Sequence, residues 1–174
     1  GRLDFDGLII ATGVSPRSLG RSSTEPGPLL LRSLDHARVL RRGLTERTGR
    51  LLVIGAGFIG TEVAASARSL DWDVTLVARE SAPLRRALGD DLGMYVASLH
   101  RRHGVGLRLD TAITDLHVAA NHSGRAMLDD GSTIEANLIV AGIGSAPNTS
   151  WLDDSDLWID DGVRTESCLR VLNT

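Results

Sequence analysis

Leu51-Leu52-Val53-Ile54 runs straight into Gly55-Ala56-Gly57-Phe58-Ile59-Gly60, and this junction restricts the fold more than any other stretch of the chain. Four consecutive apolar residues predict a buried strand, and Gly55, Gly57 and Gly60 stand at G-x-G-x-x-G spacing. In a strand–turn–helix each glycine has a steric task. Gly55 makes the tight turn, Gly57 lets the backbone approach a pyrophosphate, and Gly60 lets helix and strand pack closely. Phe58 and Ile59 lie between the glycines and are candidate contacts in the same turn. The helix that follows offers unpaired N–H groups and a partial positive charge to phosphate oxygens.

What surrounds the junction decides whether the glycines mean anything. A helix is expected from about Phe58 to Leu70, with Ile59, Val63, Ala67 and Leu70 as its apolar stripe. Val74–Val77 is expected as the next strand, which completes a βαβ unit with a right-handed crossover. Upstream, residues 3–13 are expected as a short strand ending in a small-residue turn. Residues 14–32, with three prolines and several serines, are expected as an irregular connection. A helix capped by Ser33 or Asp35 is expected from Ser33 to about Arg47. Downstream come a helix over about Gly89–His103, with Leu92, Val96 and Leu99 as its stripe, and a strand over 105–109. The period then shortens. Residues 112–118, 125–128 and 132–134 are short strands split by Asn121-His122-Ser123-Gly124 and Asp129-Asp130-Gly131, the pattern of an antiparallel meander. A buried strand returns at Asn137–Gly142, and one strand pair is expected near Leu157–Arg164. The fold class is therefore α/β: a Rossmann-like parallel sheet with helices on both faces and an antiparallel β-meander crossover.

Composition excludes several classes. The net charge is -3 and no dense Lys/Arg run occurs, which argues against nucleic acid as a partner. No apolar run approaches a membrane span, and no signal peptide opens the chain. Cys168 is the only cysteine, so a disulfide within the chain and a Cys-rich metal site are both excluded. The five histidines lack metal-ligand spacing; His100 and His103, beside Arg101 and Arg102, are expected to answer a helix C-terminal dipole. Trp72 and Trp151, beside turns, are expected to be half-buried. A cytoplasmic location suits these facts. Both ends look cut, as in an excised domain.

The dinucleotide is read at the end of the second strand. A carboxylate there accepts from the 2′-hydroxyl of NAD, whereas arginine accommodates the 2′-phosphate of NADP. Here Val77 is followed by Ala78-Arg79-Glu80, with Arg85 and Arg86 close downstream. Arg79 and Arg85 supply charge and forked donors for a phosphate, or else are ordinary surface charges. Glu80 sits about twenty residues past Gly60, the nominal distance of a ribose-binding acid. It either holds a ribose hydroxyl or neutralises an arginine. The balance favours NADP(H) over NAD(H).

Three motifs occur in order: Ala11-Thr12-Gly13, the glycine turn with Glu62 after it, and Gly142-Ile143-Gly144-Ser145-Ala146-Pro147-Asn148. Together they resemble the FAD-dependent pyridine nucleotide–disulfide oxidoreductase superfamily, most closely its ferredoxin and rubredoxin reductase branch. The resemblance covers nearly the whole chain. It implies an enzyme in which NAD(P)H bound here reduces FAD held by a neighbouring domain, with electrons passing to a small iron–sulfur protein. By the same resemblance Glu62 contacts the nicotinamide carboxamide, Gly142, Ile143 and Gly144 wall the nicotinamide, and Thr12 and Gly13 lie near the FAD-domain junction. It divides the chain into a junction and linker (1–32), the NAD(P)H-binding domain (33–145) and a return segment toward the FAD domain (146–174). No glycine motif or Gly-Asp motif of an FAD domain is present, so the fragment alone is expected to be inactive. Two other readings stay open: the same domain of a flavoprotein disulfide reductase, and a dinucleotide-sensing module without chemistry. A stand-alone dehydrogenase is disfavoured because no Ser/Tyr/Lys or His constellation follows the fold.

Overall fold

The computed structural model describes residues 3–19 and 26–173. Residues 20–25, part of the expected irregular connection, and the first two residues lie outside that range. The elements in chain order are β1 (Val14–Pro16), β2 (Leu29–Leu30), α1 (Leu34–Thr45), β3 (Arg50–Ile54), α2 (Phe58–Arg68), β4 (Asp73–Val77), α3 (Arg85–Arg102), β5 (Gly106–Arg108), β6 (Ile113–Val118), β7 (Gly124–Leu128), β8 (Thr133–Ala136), β9 (Leu138–Ala141), β10 (Ser145–Pro147), β11 (Ile159–Asp160) and β12 (Gly162–Val163), with a 3₁₀ turn at Ser150–Leu152. They form two compact units, residues 16–144 and residues 1–15 with 145–174.

The larger unit is built on a five-stranded parallel sheet in the order β2-β9-β3-β4-β5. Its central strands are apolar apart from Arg50, Asp73 and Thr75, because both faces are covered. Leu51, Val53, Val74, Leu76, Leu138 and Val140 point to one face, where they pack with Leu40 and Leu44 of α1 and Val63, Ala64 and Ala67 of α2. Leu52, Ile54, Val77, Ile139 and Ala141 point to the other. The fold class is the expected one, but a helical layer does not cover this second face. The meander β6-β7-β8 covers it, through Ala126, Leu128 and Ala136. Three short strands with alternating small and branched residues supply the apolar surface that a helix would otherwise bring.

Several local expectations shift. Residues 3–13 contain no strand, and Leu8 and Ile9 are 61% and 90% exposed. A strand exists only beside a hydrogen-bonding neighbour, and among the described residues this segment meets one only at its end, where Thr12 and Gly13 bond to Asn148. Conversely Leu29–Leu30, inside the expected connection, adds a parallel edge to β9. Helix α1 begins where expected, with the Ser33 hydroxyl accepting from His36 N–H at 3.2 Å.

The buried stripe of α2 is Gly60, Val63, Ala64 and Ala67, while Ile59 and Leu70 remain exposed. On α3 the buried residues are Gly93, Ala97 and His100, and the expected Leu92 and Leu99 face outward. In both helices small residues lie inward, because a Cβ on Gly60 or Gly93 would run into neighbouring backbone. Gly89 (φ 80°, ψ 179°) breaks α3, so the turn Arg85–Leu88 is separate from the regular helix beyond it.

Trp72 is fully buried rather than half-buried, and its indole N–H donates to Leu44 O at 3.0 Å. In the smaller unit β11 pairs with β12 antiparallel, as the sequence suggested.

Candidate functional site

The parallel arrangement brings the C-terminal ends of β3, β4 and β9 to one edge, where open α/β sheets form their binding crevices. Gly55, at the end of β3, has φ 100°, and a Cβ there would stand 2.4 Å from Gly142 O. Its own N–H donates to Val77 O at 2.8 Å, which ties the turn to β4. A Cβ on Gly60 would come within 1.9 Å of Gly55 O, so only glycine lets α2 start this close to the turn. Gly57 differs: the nearest atom to a Cβ built there is Gly142 O at 4.0 Å. No described residue requires glycine at 57, and the room it leaves lies beside the N-terminus of α2. The first bond within that helix runs from Thr61 N–H to Gly57 O, which leaves the earlier N–H groups for a ligand.

A cavity of about 440 Å³ opens here, lined by Gly55, Ala56, Gly57, Ala78, Arg79, Glu80, Arg86, Thr111, Ile113, Gly142, Ile143 and Gly144, among others. The glycine turn, the end of β4 and the turn after β9 therefore meet in one place. A second cavity of about 500 Å³ shares Arg79, Glu80 and Arg86 and adds Arg85, Gly89 and Asp90. Leu84 N–H donates to Ala56 O at 2.8 Å, which anchors the loop bearing these arginines to the glycine turn.

Charge is distributed unevenly among the arginines. Among the described residues Arg79 has no carboxylate partner. Arg85 Nε donates to Asp90 at 2.5 Å, and this bond holds the Arg85 pKa above its usual value. Arg86 pairs with Glu80 at 3.0 Å. The structure thus places Arg86, rather than Arg85, on the glycine-turn cavity. Sequence order could not separate the two, because adjacent residues at a helix start point in different directions. Thr111 and Ile113 also line the cavity without a sequence signal; the ladder between β4 and β5 positions them, through Ala78 N–H to Arg108 O at 2.9 Å and Thr111 N–H to Ala78 O at 3.0 Å.

Other candidates fall elsewhere. Phe58 and Ile59 are exposed on the first turn of α2. Glu62 is exposed and lines a cavity of about 460 Å³ between α2 and α3, with Arg68, Leu99, His100 and His103. The structure does not bring Glu62 into the glycine-turn cavity. His103 caps α3, its Nδ1 2.9 Å from Leu99 O. His100, contrary to the dipole expectation, is buried, and desolvation lowers its pKa, with the neighbouring His103 adding to the effect. No group of metal-ligating side chains occurs among the described residues.

Thr12 and Gly13 belong to the smaller unit, where they grip Asn148. Thr12 Oγ1 donates to Asn148 O at 2.8 Å, Asn148 Nδ2 donates to Thr12 O at 3.0 Å, and Asn148 N–H donates to Gly13 O at 3.0 Å. The early Ala-Thr-Gly and the late Pro-Asn motif are thus one hydrogen-bonded structure. This was invisible in sequence, where Thr12 and Asn148 stand far apart.

The family profile described as pyridine nucleotide-disulphide oxidoreductase matches residues 1–173. The chain belongs to this family. Among its relatives in the pyridine nucleotide-disulphide oxidoreductase family, it is 37% identical over 167 residues to the ferredoxin–NAD(+) reductase component of the p-cumate 2,3-dioxygenase system of Pseudomonas putida, covering 95% of this chain and 40% of that protein. It is 36% identical over 170 residues to rhodocoxin reductase of Rhodococcus erythropolis, covering 97% of this chain and 40% of the relative. The reductase in the covalent putidaredoxin reductase–putidaredoxin complex superposes with a TM-score of 0.81 at 34% identity, covering 94% of this chain and 40% of that one. The chain spans about 40% of the length of the relatives it matches.

Proposed function

We propose that this chain is the NAD(P)H-binding part of an FAD-dependent reductase that delivers electrons to a ferredoxin- or rubredoxin-type protein. One observation carries the reading: the glycine turn, the arginines after β4 and the Gly142–Gly144 turn line a single cavity beside a helix N-terminus. That cradle fits a dinucleotide. Gly57 leaves room at the N-terminus of α2 for a pyrophosphate, and the apolar Ile143 with its flanking glycines offers a flat wall for a ring. The nicotinamide nucleotide and the flavin would supply the hydride and single-electron chemistry, and the protein would supply position and electrostatics. FAD would be held chiefly by the remainder of the full-length protein, with residues 146–174 leading toward it. The relatives whose names specify a reductase of ferredoxin support the choice of acceptor.

We read the adenosine end as favouring NADP(H), although a relative's name specifies NAD(+). The residue directly after β4 is Ala78 where an NAD site would carry an acid, and Arg79 on the same cavity has no carboxylate partner among the described residues. Titration calorimetry with NADPH and NADH at matched low salt tests this. Tighter NADPH binding that weakens about tenfold or more in Arg79→Ala is the expected result. Equal or tighter NADH binding would refute it.

A further inference from the structure

Glu80 and Arg86 stand on the border between the two cavities and line both. Arg86 Nη2 lies 3.0 Å from Glu80 Oε1; the arginine side chain is 88% exposed and the glutamate 29%. Arg85 is occupied by Asp90, so of the two arginines that open α3 only Arg86 engages Glu80. The main chain at Glu80 is fixed, because its carbonyl accepts from Asp110 N–H at 3.2 Å. A solvent-exposed arginine is therefore paired with a carboxylate whose backbone is hydrogen-bonded in place, at the edge of the cavity.

Resting on the nicotinamide-nucleotide reading above, we propose that Glu80 and Arg86 form an exchangeable pair that sets how strongly the site discriminates between NADPH and NADH. A 2′-phosphate offers Arg86 a dianionic, multi-acceptor partner that outcompetes a carboxylate. To take it, Arg86 must leave Glu80, whose carboxylate then faces the phosphate without its counter-charge, and like charges at this range repel. A 2′-hydroxyl makes no such demand. It donates to Glu80 while the ion pair stays closed, so the carboxylate remains compensated. Glu80 thus opposes NADPH and assists NADH, and the arginines act against that bias.

The test is direct titration of the 174-residue chain and its variants with NADPH and NADH. Glu80→Gln keeps the size of the side chain and removes its charge. It is expected to tighten NADPH binding and weaken NADH binding, moving the ratio of the two Kd values about tenfold toward NADPH. Arg86→Ala is expected to move the ratio the other way. In the double variant the two effects should not add: without Arg86 the part of the Glu80→Gln gain that comes from releasing the arginine is lost, and only the relief of carboxylate–phosphate repulsion remains. A ratio that Glu80→Gln leaves unmoved, or a parallel loss for both nucleotides, overturns the proposal while the cofactor reading stands. If the unaltered chain binds neither nucleotide, the cofactor reading fails and this inference falls with it.

Discussion

At Gly60 a single methyl group decides whether the turn can form. A Cβ there would lie 1.9 Å from Gly55 O, a backbone atom that cannot swing aside. Gly60→Ala is therefore expected to destabilise the chain by about 3 kcal/mol or more, read from urea unfolding monitored by circular dichroism. Gly57 makes the opposite case. Its φ of −77° suits any residue, and a Cβ would meet nothing closer than 4.0 Å. Gly57→Ala is expected to change stability by less than about 1 kcal/mol but to weaken nucleotide binding by about tenfold or more, because the methyl occupies the space of the pyrophosphate. A variant that binds normally would show that no phosphate approaches there. The same two residues show what sequence could and could not say. The spacing identified both, but only the folded structure separates a glycine that the fold requires from one that it does not.

Among the elements, α2 and α3 are held at their C-terminal ends by a small polar knot. Arg68 donates through Nε to His103 O at 3.2 Å and through Nη1 to Trp72 O, and the Trp72 indole reaches α1 through Leu44 O. Trp72 thus joins three elements while fully buried. Trp72→Phe removes one buried hydrogen bond and leaves Leu44 O without that donor. An expected loss of about 1–3 kcal/mol follows, measured as a fall in the urea midpoint with an unchanged slope. Periodicity alone placed the helices and found Val63 and Ala67 of the α2 stripe, but took Ile59 and Leu70 of α2 and Leu92 and Leu99 of α3 as inward when they face out. Leucine and isoleucine weigh most in such a reading, yet most of the inward positions belong to glycine and alanine, since close approach of these helices to their neighbours leaves little room.

For the larger unit as a whole, His100 predicts a pH dependence. Burial, with His103 beside it, lowers the His100 pKa below its usual value near 6.5, and Arg68 and Glu62 line the same cavity. The folded form then binds this proton less readily than the unfolded chain, so folding favours neutral His100. The stability it contributes is complete above about pH 6.5 and is lost as pH falls through that value toward the lower folded pKa. Unfolding free energies measured across pH 5–8 should decline toward acid. That decline should be shallower in His100→Gln. An equal slope in both proteins would refute the assignment. No helix among the described residues is long and apolar enough to cross a membrane.

The local order of strand, turn and helix was readable from sequence because it depends on near neighbours: the apolar run before Gly55, the glycine spacing, the Ser33 cap, and the turn signals between β6, β7 and β8. Family membership was readable for the same reason, since its motifs are short and occur in order. Tertiary structure alone decided the rest. It set the meander rather than a helix against the second sheet face, because either could bury that face. It left residues 3–13 without strand pairing, because a strand needs a neighbour that sequence does not name. It chose Arg86 over Arg85 for the cavity and paired it with Glu80, because direction and distance are set only when α3 docks. It closed Thr12 on Asn148, a contact between distant residues that no local pattern records.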